Sequence, residues 1–221
     1  GSASGEIESG ISAAKNGKKQ IKSGKKAITE GQKKAAKQIS SARSQLTKSK
    51  EQLEELKHQG VNGVKLHPEL QIFDLEDPKY KPLYNKIGDL GLITVLHSGI
   101  SFSSKVPQLT PSVYLPMAAQ FKGAPVVLSH MGGTRITKEE RAIAMDLPVY
   151  VDTSLSPLLI QPDDFLRQLE GFGVERVLFG SDFPYALPED MLAYLEALPL
   201  TPEERQAIYC DNAIRLLDWP V

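Results

Sequence analysis

Cysteine, histidine and long apolar runs are scarce in this chain, and each scarcity removes a class of protein. The one cysteine in 221 residues, Cys210, forms no internal disulfide, which suits a reducing, cytoplasmic setting. No apolar run approaches the ~18 residues of a membrane-spanning helix, and no charged-then-apolar leader opens the sequence. A membrane is therefore not expected as a partner. No glycine-rich phosphate loop follows any apolar run, which argues against a dinucleotide-binding fold. Proline and the aromatics Phe, Tyr and Trp are absent from the first 59 residues, so nothing there stacks on bases, and nucleic acid is not expected either.

The formal net charge of −1 hides a division. Residues 1–59 carry 13 Lys/Arg against 6 Glu, whereas residues 60–221 carry 13 against 21 acids. The basic part (1–59) reads in sevens after a leading Gly-Ser that looks like a cloning remnant. Gly10, Gly17, Gly24 and Gly31 recur every seven residues, and Ala14, Ile21, Ile28, Ala35 and Ala42 occupy the fourth place of successive heptads. One apolar stripe at that spacing predicts a long heptad-repeat α-helix built to lie against another helix. Three readings stay open for this arm: a homo-oligomerising coil, a basic strip for a polyanion, or a solvated helix or linker.

Residues 60–221 form the second predicted domain, in which short β-rich runs alternate with helical ones. Strands are expected at Val61–His67, Ile93–His97, Pro125–His130, Val149–Thr153 and Arg176–Gly180. Helices are expected near Pro78–Leu90, Ser112–Phe121, Lys138–Met145, Pro162–Gly171, Pro188–Ala197 and Pro202–Leu217. Such alternation with short connections predicts an α/β fold with a parallel sheet. Five apolar strands each ending in a polar group fit a partial (β/α)8 TIM-type barrel of about five βα units, preceded by the long helix.

The chemistry concentrates at those strand ends. His97 closes one strand, His130 the next, and Asp182 follows the last at Gly180-Ser181-Asp182-Phe183-Pro184. In a barrel, all three would face the C-terminal mouth, where active sites are built. Two imidazoles and a carboxylate suit a divalent ion, zinc first and manganese second, or a metal-bound water with its base. Taken singly, each residue has a plainer explanation: a hydrogen-bonded structural histidine, or an aspartate capping a helix. Three in one regular series favour the site.

The runs Gly63-Val-Lys-Leu-His-Pro68, Val95-Leu-His-Ser-Gly99, Leu128-Ser-His-Met-Gly-Gly133, Val149-Tyr-Val-Asp-Thr-Ser154 and Leu178-Phe-Gly-Ser-Asp-Phe-Pro184 together resemble the metal-dependent amidohydrolase superfamily. The branch they look most like is the amidohydrolase-related group of aminocarboxymuconate semialdehyde decarboxylase-like enzymes. The resemblance covers about residues 51–221. It implies that His97 and Asp182 are metal ligands and that His130, which matches a metal-binding histidine in some branches, is catalytic, activating water or protonating an intermediate. It also implies hydrolysis or non-oxidative decarboxylation of a small carboxylate, amide or ester. One departure matters. That family opens on a His-x-His pair, and the four histidines here, His58, His67, His97 and His130, include no such pair. Barrel strands one to three are therefore expected to be missing, with the heptad helix in their place and the site impaired. A truncated or fused chain, a misassembled gene product, or a half completed by another copy would each read this way. A non-catalytic assembly protein is the alternative function.

Lys65 and His67 alternate on one strand face and are candidates to bind the substrate, as is Arg135 after the Gly-Gly turn. Lys65 reads equally as an interior ion-pair partner, His67 as a loop residue capping backbone, and Arg135 as a solvent-facing loop residue. Asp152 and Ser154 are expected to support the site from behind. Phe183 and Tyr185 are expected to wall a pocket or to pack, and Trp219 to plug the core.

Overall fold

A computed structural model of the chain describes residues 2–99, 109–133 and 136–219. It divides the chain into two units at Ser49/Lys50. The first helix, α1 (Ser2–His58), runs through the predicted arm. Lysine, serine and alanine are its commonest residues, and no proline interrupts the ladder. Its apolar stripe is uncovered, Ile21 and Ile28 each being 63% exposed and Ile39 54%. From Lys50 onward α1 belongs to the second unit, where Leu53 enters the core and Glu54 pairs with Lys86. The helix stops where Gly60 takes φ +88°. There the Gly60 N–H donates to the Lys57 carbonyl at 3.0 Å and the Val61 N–H to Leu56 at 3.0 Å. That pair of bonds satisfies two of the four carbonyls the helix end would leave free.

The second unit is a five-stranded parallel sheet in sequential order: β1 (Gly63–Leu66), β2 (Ile93–Leu96), β3 (Val126–Leu128), β4 (Val149–Asp152) and β5 (Val177–Leu178). The connections carry α2 (Lys81–Asp89), α3 (Pro111–Ala118), α4 (Lys138–Met145) and α5 (Pro162–Phe172), and α6 (Pro188–Glu196) and α7 (Asn212–Leu217) follow β5. Local chemistry sets the helix starts. Proline stands in the first turn of α3, α5 and α6, where no N–H is needed, and Thr137 with Glu140 forms a reciprocal cap on α4. All the expected strands and helices are present, with shorter strands. One expected helix is modified: Pro202–Leu217 is interrupted by a π-helical stretch at Ala207–Asp211.

Register explains the two faces of the sheet. Leu66, Leu96, Leu128, Val151 and Val177 align across the five strands and share one core with Tyr84, Leu115, Phe165 and Phe172 of the helices. The alternate row aligns Lys65, Val95, Val127 and Tyr150 on the opposite face. There Val95, Val127, Asp152 and Leu178 line a cleft of about 240 Å³ with Ala213 and Leu216 of α7. In a closed barrel that face would be the interior; here β1 and β5 are edges. The β5 side is covered in part, since the Phe179 N–H donates to the Ile208 carbonyl at 3.0 Å. Asn212 adds two bonds, from Nδ2 to the carbonyls of Val174 and Val177, each 2.7 Å.

Candidate active site

His67, His97 and His130 each follow the last residue of a strand by one or two positions, so parallel pairing delivers them to the same end of the sheet. His130 lies outside its strand, in the turn Ser129–Gly132, and with Met131 it adopts left-handed backbone (φ 59° and 55°). Gly132 and Gly133 continue at φ 75° and 94°. Left-handed geometry costs a non-glycine residue about 1–2 kcal/mol, so something must hold the turn. The His130 N–H donates to Asp152 Oδ1 at 3.0 Å, the Gly133 N–H donates to the His130 carbonyl at 2.9 Å, and Tyr114 Oη donates to the Gly132 carbonyl. Gly133 also passes Gly99 so closely that a Cβ there would stand 3.2 Å from the Gly99 Cα.

The three imidazoles touch in series. His67 and His97 are stacked, with centroids 3.9 Å apart and planes 9° from parallel, and His97 meets His130 edge to face at 5.1 Å. His130 Nε2 lies 3.3 Å from His97 Nδ1. The proton positions follow from the neighbours. Ser154 Oγ donates to Asp152 Oδ1, so toward His130 Nδ1, 2.9 Å away, it acts as an acceptor. The Ser154 carbonyl, 3.1 Å from the same nitrogen, can only accept. His130 Nδ1 therefore carries hydrogen, its Nε2 presents a lone pair, and His97 Nδ1–H donates to it. The other His97 nitrogen, Nε2, is then bare, and it is buried with no hydrogen-bond partner. Burial above all, with His67, His130 and Lys65 beside it, pushes the His97 pKa down to about 3, so the ring is neutral. The His67 pKa is also lowered, by burial and then by Lys65.

His67 takes the capping role, one of its two expected readings. Its Nδ1 accepts from the Leu70 N–H at 3.4 Å, capping the turn Pro68–Gln71, while its ring packs on His97. Lys65 projects from the exposed face of β1, and its Nζ donates to Ser129 Oγ at 2.9 Å. Burial lowers the Lys65 pKa, and the negative charges of Asp152 and Asp182 oppose that. Asp182 is no cap for α6, whose N-cap is Leu187; it sits at φ +67° in the loop after β5. Its charge acts on both Lys65 and His67.

Arg135 lies outside the described residues. Phe183 and Tyr185 are 69% and 76% exposed, so neither packs, and Trp219, 59% exposed, plugs no core. Sequence reasoning left Ser129 out and gave Asp152 and Ser154 no specific task. The aspartate's place at a strand end was the available signal. Among the described residues, no group of three or more His, Cys, Asp and Glu is placed to hold a metal ion.

The family model described as amidohydrolase matches residues 41–219. Among solved structures, an uncharacterised TIM-barrel protein from Bordetella bronchiseptica is 25% identical, with a TM-score of 0.63 over 76% of this chain and 60% of that one. A 2,6-dihydroxybenzoate decarboxylase from Rhizobium is 14% identical (TM-score 0.55, 76% of this chain, 66% of that one). An amidohydrolase from Burkholderia multivorans with bound zinc is 17% identical (TM-score 0.52, 72% of this chain, 65% of that one). The chain spans less than two thirds of the length of each of these three. No curated protein matches it by sequence.

Proposed function

Because this chain belongs to the amidohydrolase family, we propose that its strand mouth is that of a metal-dependent hydrolase or non-oxidative decarboxylase for a small carboxylate, amide or ester, impaired by a shortage of metal donors. The observation that supports this is the buried, unpartnered Nε2 of His97, a free lone pair beside a second imidazole whose proton position is fixed. In this reading His97 and Asp182 are the metal ligands, and Lys65, His67 and Arg135 hold the substrate. A divalent ion, when bound, polarises the scissile group. Zinc is the first ion to supply, as the Burkholderia protein binds it, and manganese the second.

The described residues do not complete a set for such an ion, because no three donors converge among them. What the chain's own groups do is narrower. His130, fixed at Nδ1 by Ser154, has only Nε2 with which to take or return a proton, and His97 is its partner at that atom. Lys65 offers a cation at the open face.

Elemental analysis of the metal-supplemented chain tests this. Well under one zinc or manganese per chain is expected, with that fraction lost in His97→Ala and Asp182→Asn. A full equivalent in the wild type would remove the impairment. A metal content unchanged in both variants would remove the two ligands.

A second reading, a non-catalytic assembly protein joined through its arm, is favoured by the uncovered Ile21, Ile28 and Ile39. Light scattering on the full chain and on a variant with all three replaced by lysine distinguishes it. A multiple of 24.2 kDa that collapses to one in the variant supports assembly, and a single-chain mass in both rejects it.

A further inference from the structure

The hydrogen bond between Lys65 and Ser129 joins a part-buried lysine to a buried anchor. Lys65 stands on the exposed face of an edge strand, and Ser129 is 2% exposed in the turn that carries His130. Ser129 is itself held, since Ser98 Oγ donates to its carbonyl and the neighbouring His130 N–H is tied to Asp152. A free lysine side chain would have to be ordered before it could hold anything, at a cost in rotamer entropy. Here the Ser129 hydroxyl, 2.9 Å from Nζ, has already fixed the ammonium's place. An ammonium has three donors, and Ser129 takes one, leaving two for a ligand. Two residues on, just past the end of β1, His67 uses Nδ1 as an acceptor for the Leu70 N–H, so its Nε2 carries hydrogen. The end of β1 thus presents a cation and a neutral N–H, both donors.

We propose that Ser129 is a positioning residue that preorganises Lys65 and so makes this mouth select ligands with a carboxylate over neutral ligands of the same shape. The inference rests on the mouth being a substrate site and names the class of substrate it takes. Preorganisation raises affinity by removing the ordering cost from the binding step. The two negative charges that Lys65 senses leave it a role for a third. Asp152 is committed to the His130 N–H, the Ser154 N–H and Ser154 Oγ, and Asp182 lies in the separate loop after β5. A carboxylate arriving at the open face would meet the two remaining Nζ donors directly. A neutral amide would put its own N–H groups or a weaker acceptor there.

Calorimetric titration of the full chain with benzoate and with benzamide, alike in shape and different in charge, tests the inference. Benzoate is expected to bind roughly tenfold or more tightly than benzamide, the range of one charge-assisted hydrogen bond. That ratio should fall to about one in Lys65→Met, fall partway in Ser129→Ala, and return in Ser129→Thr, which restores the hydroxyl. If melting curves show that Ser129→Thr does not fold, the comparison of Ser129→Ala with Lys65→Met carries the test. Equal affinities in the wild type, binding of neither probe at millimolar concentration, or a wild-type ratio in Ser129→Ala would each overturn the inference. Charge selection without metal-dependent turnover would sink the proposed activity alone. Turnover without charge selection would sink this inference alone.

Discussion

His97 gives its Nδ1 hydrogen to His130 Nε2 across 3.3 Å, and that one bond leaves the opposite nitrogen of His97 bare inside the protein. The arrangement depends on His97 staying neutral. A protonated His97 would bury a charged N–H with no acceptor, which is costly.

The first prediction follows from that neutrality. The folded His97 pKa is depressed to about 3 from an ordinary 6.5, so between those values the unfolded chain binds the extra proton. The stabilisation is fully present above pH 6.5 and is lost as pH falls toward 3, by up to about 1.4 kcal/mol per pH unit. Thermal melting from pH 7 to pH 3.5 should show Tm falling through this window. His97→Gln should flatten the fall.

Asp152 supplies the second. One carboxylate oxygen accepts from the His130 N–H at 3.0 Å, from the Ser154 N–H at 3.1 Å and from Ser154 Oγ. Asp152→Ala strands these donors and releases the left-handed turn, at an expected cost of about 2–4 kcal/mol by urea unfolding. Asp152→Asn keeps an acceptor and should cost less.

Much of this unit could be read from sequence because its signals are local. β-Branched runs such as Val126-Val-Leu and the prolines that open α3, α5 and α6 act within a few residues. Parallel pairing then follows from strand–helix alternation. The site was legible only as a set of strand ends. His130 and Met131 are left-handed although neither is glycine, and the cause, Asp152, lies 22 residues further along the chain from His130. Ser129 faces Lys65 across 64 positions of sequence, and no spacing rule reaches that far. Trp219 misled for a related reason: size suggests burial, but the chain's last turn leaves it outside.

Ile72 gives a third prediction. It sits at φ 53° after the turn Pro68–Gln71, 60% exposed, where a β-branched residue is strained and buries little. Ile72→Gly should raise stability by about 1 kcal/mol, read as a higher urea midpoint with an unchanged slope.

Two glycines should respond in opposite directions. A Cβ on Gly88 would collide with the Phe121 carbonyl, whereas one on Gly24 meets nothing within 4 Å. Gly88→Ala should therefore destabilise the second unit by roughly 3 kcal/mol or more, since backbone must move. Gly24→Ala should add about 1 kcal/mol to the arm helix, visible as increased ellipticity at 222 nm.

The π-helical stretch at Ala207–Asp211 counts for more than an irregularity in the last helix. It carries one residue more than an α-ladder of the same hydrogen bonds would need. Every residue after it is therefore rotated by about 100° from where an uninterrupted helix would put it. That phase is what brings Asn212 round to the carbonyls of Val174 and Val177. Deleting one residue within the stretch would leave the composition and helicity almost unchanged, yet it would turn Asn212 away and carry the clef-lining Ala213 and Leu216 with it. Here the length of a segment, counted in single residues, is as much a part of the fold as the residues themselves.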